Sequence, residues 1–98
     1  MNMQAMLKQA QKLQKEMLEE KNKIDNTIYE GKSSFVTVTV AGSKEVKSIK
    51  IDKETIEADE IEMVEDMVLV AINEAMKQID KDTNQKMGKY TQGMPGLF

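Results

Sequence analysis

The chain has 98 residues and a net charge of −3, with 14 Lys, 17 acidic residues, and no Arg, His, Cys or Trp. A single short domain buries only about two-thirds of its unfolded surface, so we expect a second copy of the chain to complete its core. The absence of Cys excludes disulfides and thiolate metal sites, and the absence of His removes the commonest general base, which argues against catalysis.

A long first helix is predicted from about Met3 to Asn26, because apolar residues recur there at alternating spacings of three and four. This apolar seam consists of Met3, Met6, Ala10, Leu13, Met17 and Ile24. Within it, the predicted core or dimer-interface residues are Met6, Ala10, Leu13 and Met17. At about 100° per residue, a row of three lysines lies nearly opposite the seam. The lysine row consists of Lys8, Lys12 and Lys15. No acid precedes Glu16, so the chain begins with a basic segment although its net charge is negative.

The middle of the chain is predicted to form a three-stranded antiparallel meander. Residues 27–32 ("TIYEGK") can form a first short strand, and residues 35–40 ("FVTVTV") alternate in the way typical of a half-buried strand. A turn at Gly42 leads to a return strand within residues 45–51, where Val46 is out of phase and indicates a bulge or a late strand start. The second strand is predicted to direct three residues to the core or dimer interface: Val36, Val38 and Val40.

The last helix is predicted to begin near Asp59 or Glu60, where apolar spacings of three and four resume. Acids crowd its first turns and lysines follow late, and both distributions suit the helix dipole. Its predicted core or interface positions include Val64, Val68 and Ile72. Residues 87–98 contain three Gly and the only Pro, and they are predicted to be a flexible tail of a single domain spanning residues 1–98. The predicted class is therefore α+β, in the order α–β–β–β–α.

Three patterns suggest other sites, and each has a simpler explanation. "GKSS" at 31–34 resembles the end of a phosphate-binding loop, but Asn26 stands where Gly is needed and a strand follows, which favours a turn. The acids of the last helix could bind a divalent cation, although a helix N-terminus attracts acids anyway. Met1, Met3 and Met6 could bind a soft metal, but methionine more often fills a core. We expect no catalytic residue, metal, cofactor, small-molecule substrate or membrane span, and a cytoplasmic location.

Segregated charge indicates a polyanionic partner. The lysine row has no acid on its face before Glu19, and Lys86 and Lys89 follow the last acid, Asp82. Six acids gather between residues 57 and 66 without a lysine among them. Cations that are separated from anions suit a surface that follows phosphates, because each neutralised phosphate releases counterions. An ordinary solvated helix face is the alternative interpretation of the row.

Four stretches of sequence carry a resemblance to a known family. They are "MLKQAQKLQKEM" (6–17), "VTVTVAGSKEVKSIKID" (36–52), "EMVEDMVLVAINEAMKQ" (62–78) and "KMGKYTQGMPGLF" (86–98). In their order and their spacing they resemble the YbaB/EbfC family of small bacterial nucleoid-associated proteins. The sequence departs from many members in having "GKSS" for a Gly-rich patch and a single Gly-Met-Pro-Gly unit.

The resemblance implies an intertwined, tweezer-like homodimer whose long helices project from a central sheet. It also implies double-stranded DNA as the partner, little sequence specificity, no catalysis, and a role in nucleoid organisation or gene regulation. No family site motif transfers to this chain, so charge placement selects the candidate DNA-binding residues. They are Lys8, Lys12, Lys15, Gln4, Gln11, Lys81, Lys86 and Lys89. The alternative function is a dimeric protein–protein interaction module without direct DNA contact.

Overall fold

A computed structural model of the chain describes residues 2–91. The elements in order are helix α1 (Met3–Asp25), strands β1 (Ile28–Ser33), β2 (Val36–Ala41) and β3 (Val46–Ile51), a short 3₁₀ helix (Ala58–Glu60), and helix α2 (Ile61–Thr91). This order confirms the predicted α+β class. Neither of the two long helices, as far as the chain is described, combines the length and apolarity needed to cross a bilayer.

The three strands form one antiparallel sheet in the order β1–β2–β3. The turn between β1 and β2 is shorter than the predicted one at 31–34, because residues 31–33 pair with β2 and only Ser34 and Phe35 connect the strands. Between β2 and β3 the register shifts, so that Lys47 is the extra residue of a bulge. The irregularity predicted from the phase of Val46 is therefore confirmed.

The core lies between α2 and one face of the sheet. Gly31 of β1 faces the backbone of Ala71 and Ala75, and an added Cβ would overlap the carbonyl oxygen of Ala71. The two small helix residues and the glycine therefore bring the helix backbone directly against β1. The predicted strand residues are fully buried beneath the helix: Val36, Val38 and Val40. Of the predicted helix positions, Val64 is buried, whereas Val68 and Ile72 are half-buried.

Two side-chain hydrogen bonds join β1 to α2. The Tyr29 hydroxyl donates to a carboxylate oxygen of Asp82, which lies 53 positions later in the chain. The Gln78 side-chain amide donates to the backbone carbonyl oxygen of Glu30 at 2.9 Å. These bonds fix the helix against the first half of the strand, in addition to the apolar contacts of the core.

The sheet face that carries the core is wider than the area that helix α2 covers. α2 packs against β1 and β2, whereas all six residues of β3 are exposed. Ile49 and Ile51 pair with Val38 and Val36, so their side chains share the face that carries the core. Val46, which pairs with Val40 across the bulge, completes an uncovered apolar strip on β3. Nothing in residues 2–91 of the same chain covers this strip.

α2 is longer than the sequence pattern predicts. Its last turns are helical through Thr91, so the first five residues of the predicted flexible tail belong to the helix. Met87 and Tyr90 are buried with Ile24 of α1, and Met17 packs against them. These contacts explain why helical structure persists after the apolar pattern of α2 fades. The rest of the predicted tail, 92–98, lies outside the described residues.

Candidate nucleic-acid interface

The first half of α1 forms an arm, residues 3–15, in which every residue is exposed. Asn2 caps the arm, because its side-chain oxygen accepts a hydrogen bond from the backbone N–H of Gln4 at 3.0 Å. The chain extends 71 Å along its longest axis but only 20 and 14 Å along the others. The arm therefore presents both its apolar seam and its lysine row to solvent.

The lysine row occupies the side of α1 that faces away from α2. Ile24 and Met17 of the seam pack against α2, and the row lies nearly opposite the seam on the helix. From Lys8 to Lys15 the row extends about 10 Å along the helix axis. Measured along the duplex axis, that length corresponds to about three rises of ~3.4 Å per phosphate of one strand. The row is therefore long enough to lie against more than one phosphate.

All three lysines of the row keep their charge available. The salt bridges found within residues 2–91 involve five other lysines and none of the row. Lys81 of α2 is likewise exposed and outside these salt bridges. An unpaired ammonium group can neutralise a phosphate without first losing a partner in its own chain.

Two of the α2 candidates have partners. The Lys86 ammonium lies 3.0 Å from a carboxylate oxygen of Asp82. Hydrogen bonds from Tyr29 and then from Lys86 hold the pKa of Asp82 below its usual range, so this carboxylate stays charged beside Lys86. Lys89 lies over the ring of Tyr90, 4.9 Å from its centroid, in a cation–π contact. Of the three α2 candidates, Lys86 is thus the one paired with an anion within residues 2–91, whereas Lys81 and Lys89 lie outside the salt bridges found there.

Amide side chains flank the lysine row, and the sequence prediction included only some of them. Gln4 and Gln11 are exposed on the arm, as predicted. A shallow concave surface beside Lys15 also contains the amides of Gln14 and Asn22. The helical spacing of three and four from Gln11 could have identified both. Amide donors beside an ammonium group can add hydrogen bonds to phosphate or sugar oxygens.

Of the acids near the start of α2, Glu60 has a local structural role. The Glu60 carboxylate accepts a hydrogen bond from the backbone N–H of Glu57 at 3.2 Å and pairs with Lys53. The Lys53 ammonium, followed by the backbone donor, lowers the pKa of Glu60. Within residues 2–91, no three acidic side chains converge as a metal site would require.

The Tyr29–Asp82 hydrogen bond predicts a loss of stability at high pH. Burial, followed by the hydrogen bond to Asp82 and its charge, raises the pKa of Tyr29 to about 12 from 10.0. A pKa that is higher in the folded state stabilises the fold below pH 10, and this contribution disappears as the pH rises towards 12. Urea unfolding should show that Tyr29→Phe is about 1 kcal/mol less stable at pH 8. This difference from the wild-type chain should shrink between pH 10 and 12, and a constant difference would contradict the assignment.

Comparison with known proteins identifies the family. Residues 1–94 match the YbaB/EbfC DNA-binding family. The chain is 47% identical over 97 residues to the "Nucleoid-associated protein" of Lactococcus lactis subsp. cremoris strain MG1363, covering 97% of this chain and 98% of that protein. The proteins of the same name from Ligilactobacillus salivarius strain UCC118 and Enterococcus faecalis strain V583 are 43% and 37% identical. The alignments cover 99% and 98% of this chain, and 95% and 94% of the two relatives respectively. The chain therefore belongs to the YbaB/EbfC DNA-binding family.

Proposed function

We propose that this protein binds double-stranded DNA with little sequence specificity and without catalytic activity. The observation that carries the proposal is the lysine row, whose three charges are exposed on a projecting arm and lie outside the salt bridges of residues 2–91. The acids between residues 57 and 66 are remote from the row in sequence and repel DNA. Contact with DNA is thereby directed to the arm.

The lysines of the arm account for weak sequence preference. Specific recognition of guanine commonly uses the paired donors of Arg, which this chain lacks, whereas Lys acts as a point charge. Phosphate contacts position a protein on the duplex but do not read its sequence. Phosphate contacts also allow the protein to prefer a DNA shape and to change the conformation of the DNA. We assign the protein to the cytoplasm and the nucleoid, as the names of its relatives suggest, with a role in nucleoid organisation or gene regulation.

We also propose that two chains form an intertwined, tweezer-like homodimer, which presents two lysine rows to one duplex. The uncovered apolar strip of β3 supports association, because it continues the core face and has no cover within residues 2–91 of its own chain. Removing such surface from water contributes about 25 cal/mol per Å² of buried apolar area.

Electrophoretic mobility shifts across a salt series test the DNA proposal. We expect binding to several unrelated duplexes with similar affinity. The logarithm of the affinity should fall linearly with the logarithm of the salt concentration, with a slope of about −0.9 per phosphate contact. An absence of binding to every duplex at about 50 mM salt would contradict the proposal and favour the protein–protein interaction module.

Sedimentation equilibrium tests the dimer separately. At micromolar concentration we expect a mass of twice the 11.1 kDa of one chain. Ile49→Lys should reduce this mass to that of a monomer, because a charge in an apolar interface loses its hydration. Ser48→Lys places the same charge on the opposite face of β3 and serves as the matched control. A wild-type mass near 11.1 kDa would exclude the dimer.

A further inference from the structure

The apolar seam continues along the arm beyond the part that α2 covers. Met17 and Ile24 of the seam pack against α2. Met3, Met6 and Leu13, farther along the seam, are 77%, 54% and 47% exposed. No other part of the described chain covers the seam along the arm.

The seam has the seven-residue repeat of a coiled coil. When the repeat is lettered a to g from Met3, position a holds Met3, Ala10 and Met17, and position d holds Met6 and Leu13. In a coiled coil, positions a and d face a partner helix, and positions e and g flank the contact. Met17 already packs in this way against a helix of its own chain. The free part of the same seam is therefore suited to a second helix.

The charges of the arm favour a copy of the arm as that second helix. Positions e and g of the arm hold Leu7, Gln9 and Gln14, none of which is charged. The lysine row occupies the outer positions c and f, away from the contact. Two arms can therefore pair without bringing like charges together. Flanking charges are what select a foreign partner helix in a coiled coil, and the arm has none.

Side-chain sizes favour an antiparallel pair of arms. In an antiparallel coiled coil, position a of one helix faces position d of the other, so Met6 lies opposite Ala10 and Met3 lies opposite Leu13. The small side chain of Ala10 then faces a large one, and the contact is filled. A parallel pair would instead place Ala10 opposite Ala10 and leave a void.

The position of α2 leaves room for an antiparallel arm. Tyr29 bonds Asp82, and Ile24, earlier in the chain, packs with Met87 farther along α2. The segment from α1 into β1 therefore runs antiparallel to α2, which covers the second half of α1. A second arm in the same direction continues the line of α2 along the free seam, whose length from position 3 to position 13 is about 15 Å.

We propose that the arms of two copies pair antiparallel along their seams and thereby join copies that are bound to DNA. The two arms of one tweezer-like dimer hold a duplex between them, so the pairing joins arms of different dimers and is separate from the contact through β3. Position f lies opposite the seam, so the pair carries its two lysine rows on opposite outer sides and can contact two duplexes. The joining of duplexes rests on the proposed DNA binding, whereas the pairing itself needs no DNA.

The short arm makes this pairing depend on local concentration. Helices of fewer than about 12–15 residues are marginal in water without other contacts, so arms pair weakly at micromolar concentration. DNA that holds many copies close together acts as a tether and raises the effective concentration to about the millimolar range. Pairing of arms is therefore favoured on DNA and leaves free dimers separate.

Disulfide trapping without DNA tests the pairing directly, because the chain has no native Cys. The double variant Met3→Cys with Leu13→Cys is oxidised mildly at about 1 mM protein, within the range that tethering provides. A non-reducing gel should show linked chains, and peptide mapping should find position 3 of one chain joined to position 13 of another. Ala5→Cys with Leu13→Cys is the matched control, because residue 5 lies at the outer position c. A yield no higher than that of the control, or links that join position 13 to position 13, would overturn the proposal.

Capture of one duplex by another tests the consequence. Beads that carry one duplex should retain a second, labelled duplex when the wild-type protein is added. Met6→Gln with Leu13→Gln keeps the net charge and the helix propensity but removes apolar seam contacts, so capture should fall at least about tenfold. Leu18→Gln, at the outer position b, is the matched control and should capture normally. Equal capture by the seam variant and the control would overturn the proposal. Failure of the wild-type protein to bind any single duplex would contradict the DNA proposal, and the trapping result would still decide the pairing.

Discussion

Replacing Lys8, Lys12 and Lys15 together by Gln will weaken duplex binding and reduce its salt dependence while preserving the fold. The three side chains are exposed and make no salt bridge within residues 2–91, so their loss removes phosphate contacts and no described ion pair. Each lost contact should reduce the salt slope by about 0.9. In a dimer each substitution acts twice, so the slope should fall by about 5 when all row lysines contact phosphate.

Mobility shifts and circular dichroism on the same samples will separate binding from folding. The matched control is Lys32→Gln, Lys50→Gln and Lys77→Gln, which removes the same charge from three exposed lysines outside the row and outside the described salt bridges. Equal losses in the two triple variants would mean that only net charge matters. Unchanged binding in the row variant would remove the row from the interface.

Gly31→Ala will unfold the protein or destabilise it by about 3 kcal/mol or more. The added Cβ would overlap the carbonyl oxygen of Ala71 and lie 2.8 Å from the backbone nitrogen of Ala75. Neither neighbour is a flexible side chain, so α2 as a whole would have to move away from β1. Such a shift would open the core beneath the helix and strain the Tyr29–Asp82 hydrogen bond.

Chemical denaturation can compare this variant with Gly88→Ala, which makes the same substitution inside α2. An added Cβ at Gly88 meets no atom of residues 2–91 within 4 Å outside the neighbouring helix backbone. Alanine is better than glycine in a helix by about 0.8–1.0 kcal/mol, so this variant should be more stable than the wild-type chain. The two variants should therefore change the free energy of unfolding in opposite directions. A Gly31→Ala variant of normal stability would contradict the close packing of α2 on β1.

Sequence patterns between residues close together in the chain predicted most of the fold. The three- and four-residue spacings gave both helices, and the alternation of Val36, Val38 and Val40 gave the buried face of β2. The extension of α2 to Thr91 was missed, because it depends on the packing of Met87 and Tyr90 against α1. Such contacts join residues that are distant in the sequence, and no local periodicity contains them.

The sequence also predicted part of the candidate interface. Helical geometry placed the lysine row opposite the seam, and the structure leaves that row exposed. The i, i+4 spacing of Asp82 and Lys86 could have distinguished Lys86 from Lys81. The contact of Tyr29 with the same carboxylate comes from another element and could not be predicted locally. The importance of Gly31 was equally hidden, since a glycine in a strand does not reveal which backbone approaches it.

The bond from Gln78 to the carbonyl oxygen of Glu30 occupies a backbone acceptor on one outer strand of the sheet. A sheet has two outer strands, and an unprotected one invites pairing with further chains, as in fibrils. Here one outer strand, β1, has a backbone acceptor already occupied by a helix side chain, whereas β3 has its apolar strip free. In the proposed dimer through β3, both ends of the combined structure would present the partly occupied edge of β1. A two-fold contact that uses the same surface twice would leave no third binding position on β3.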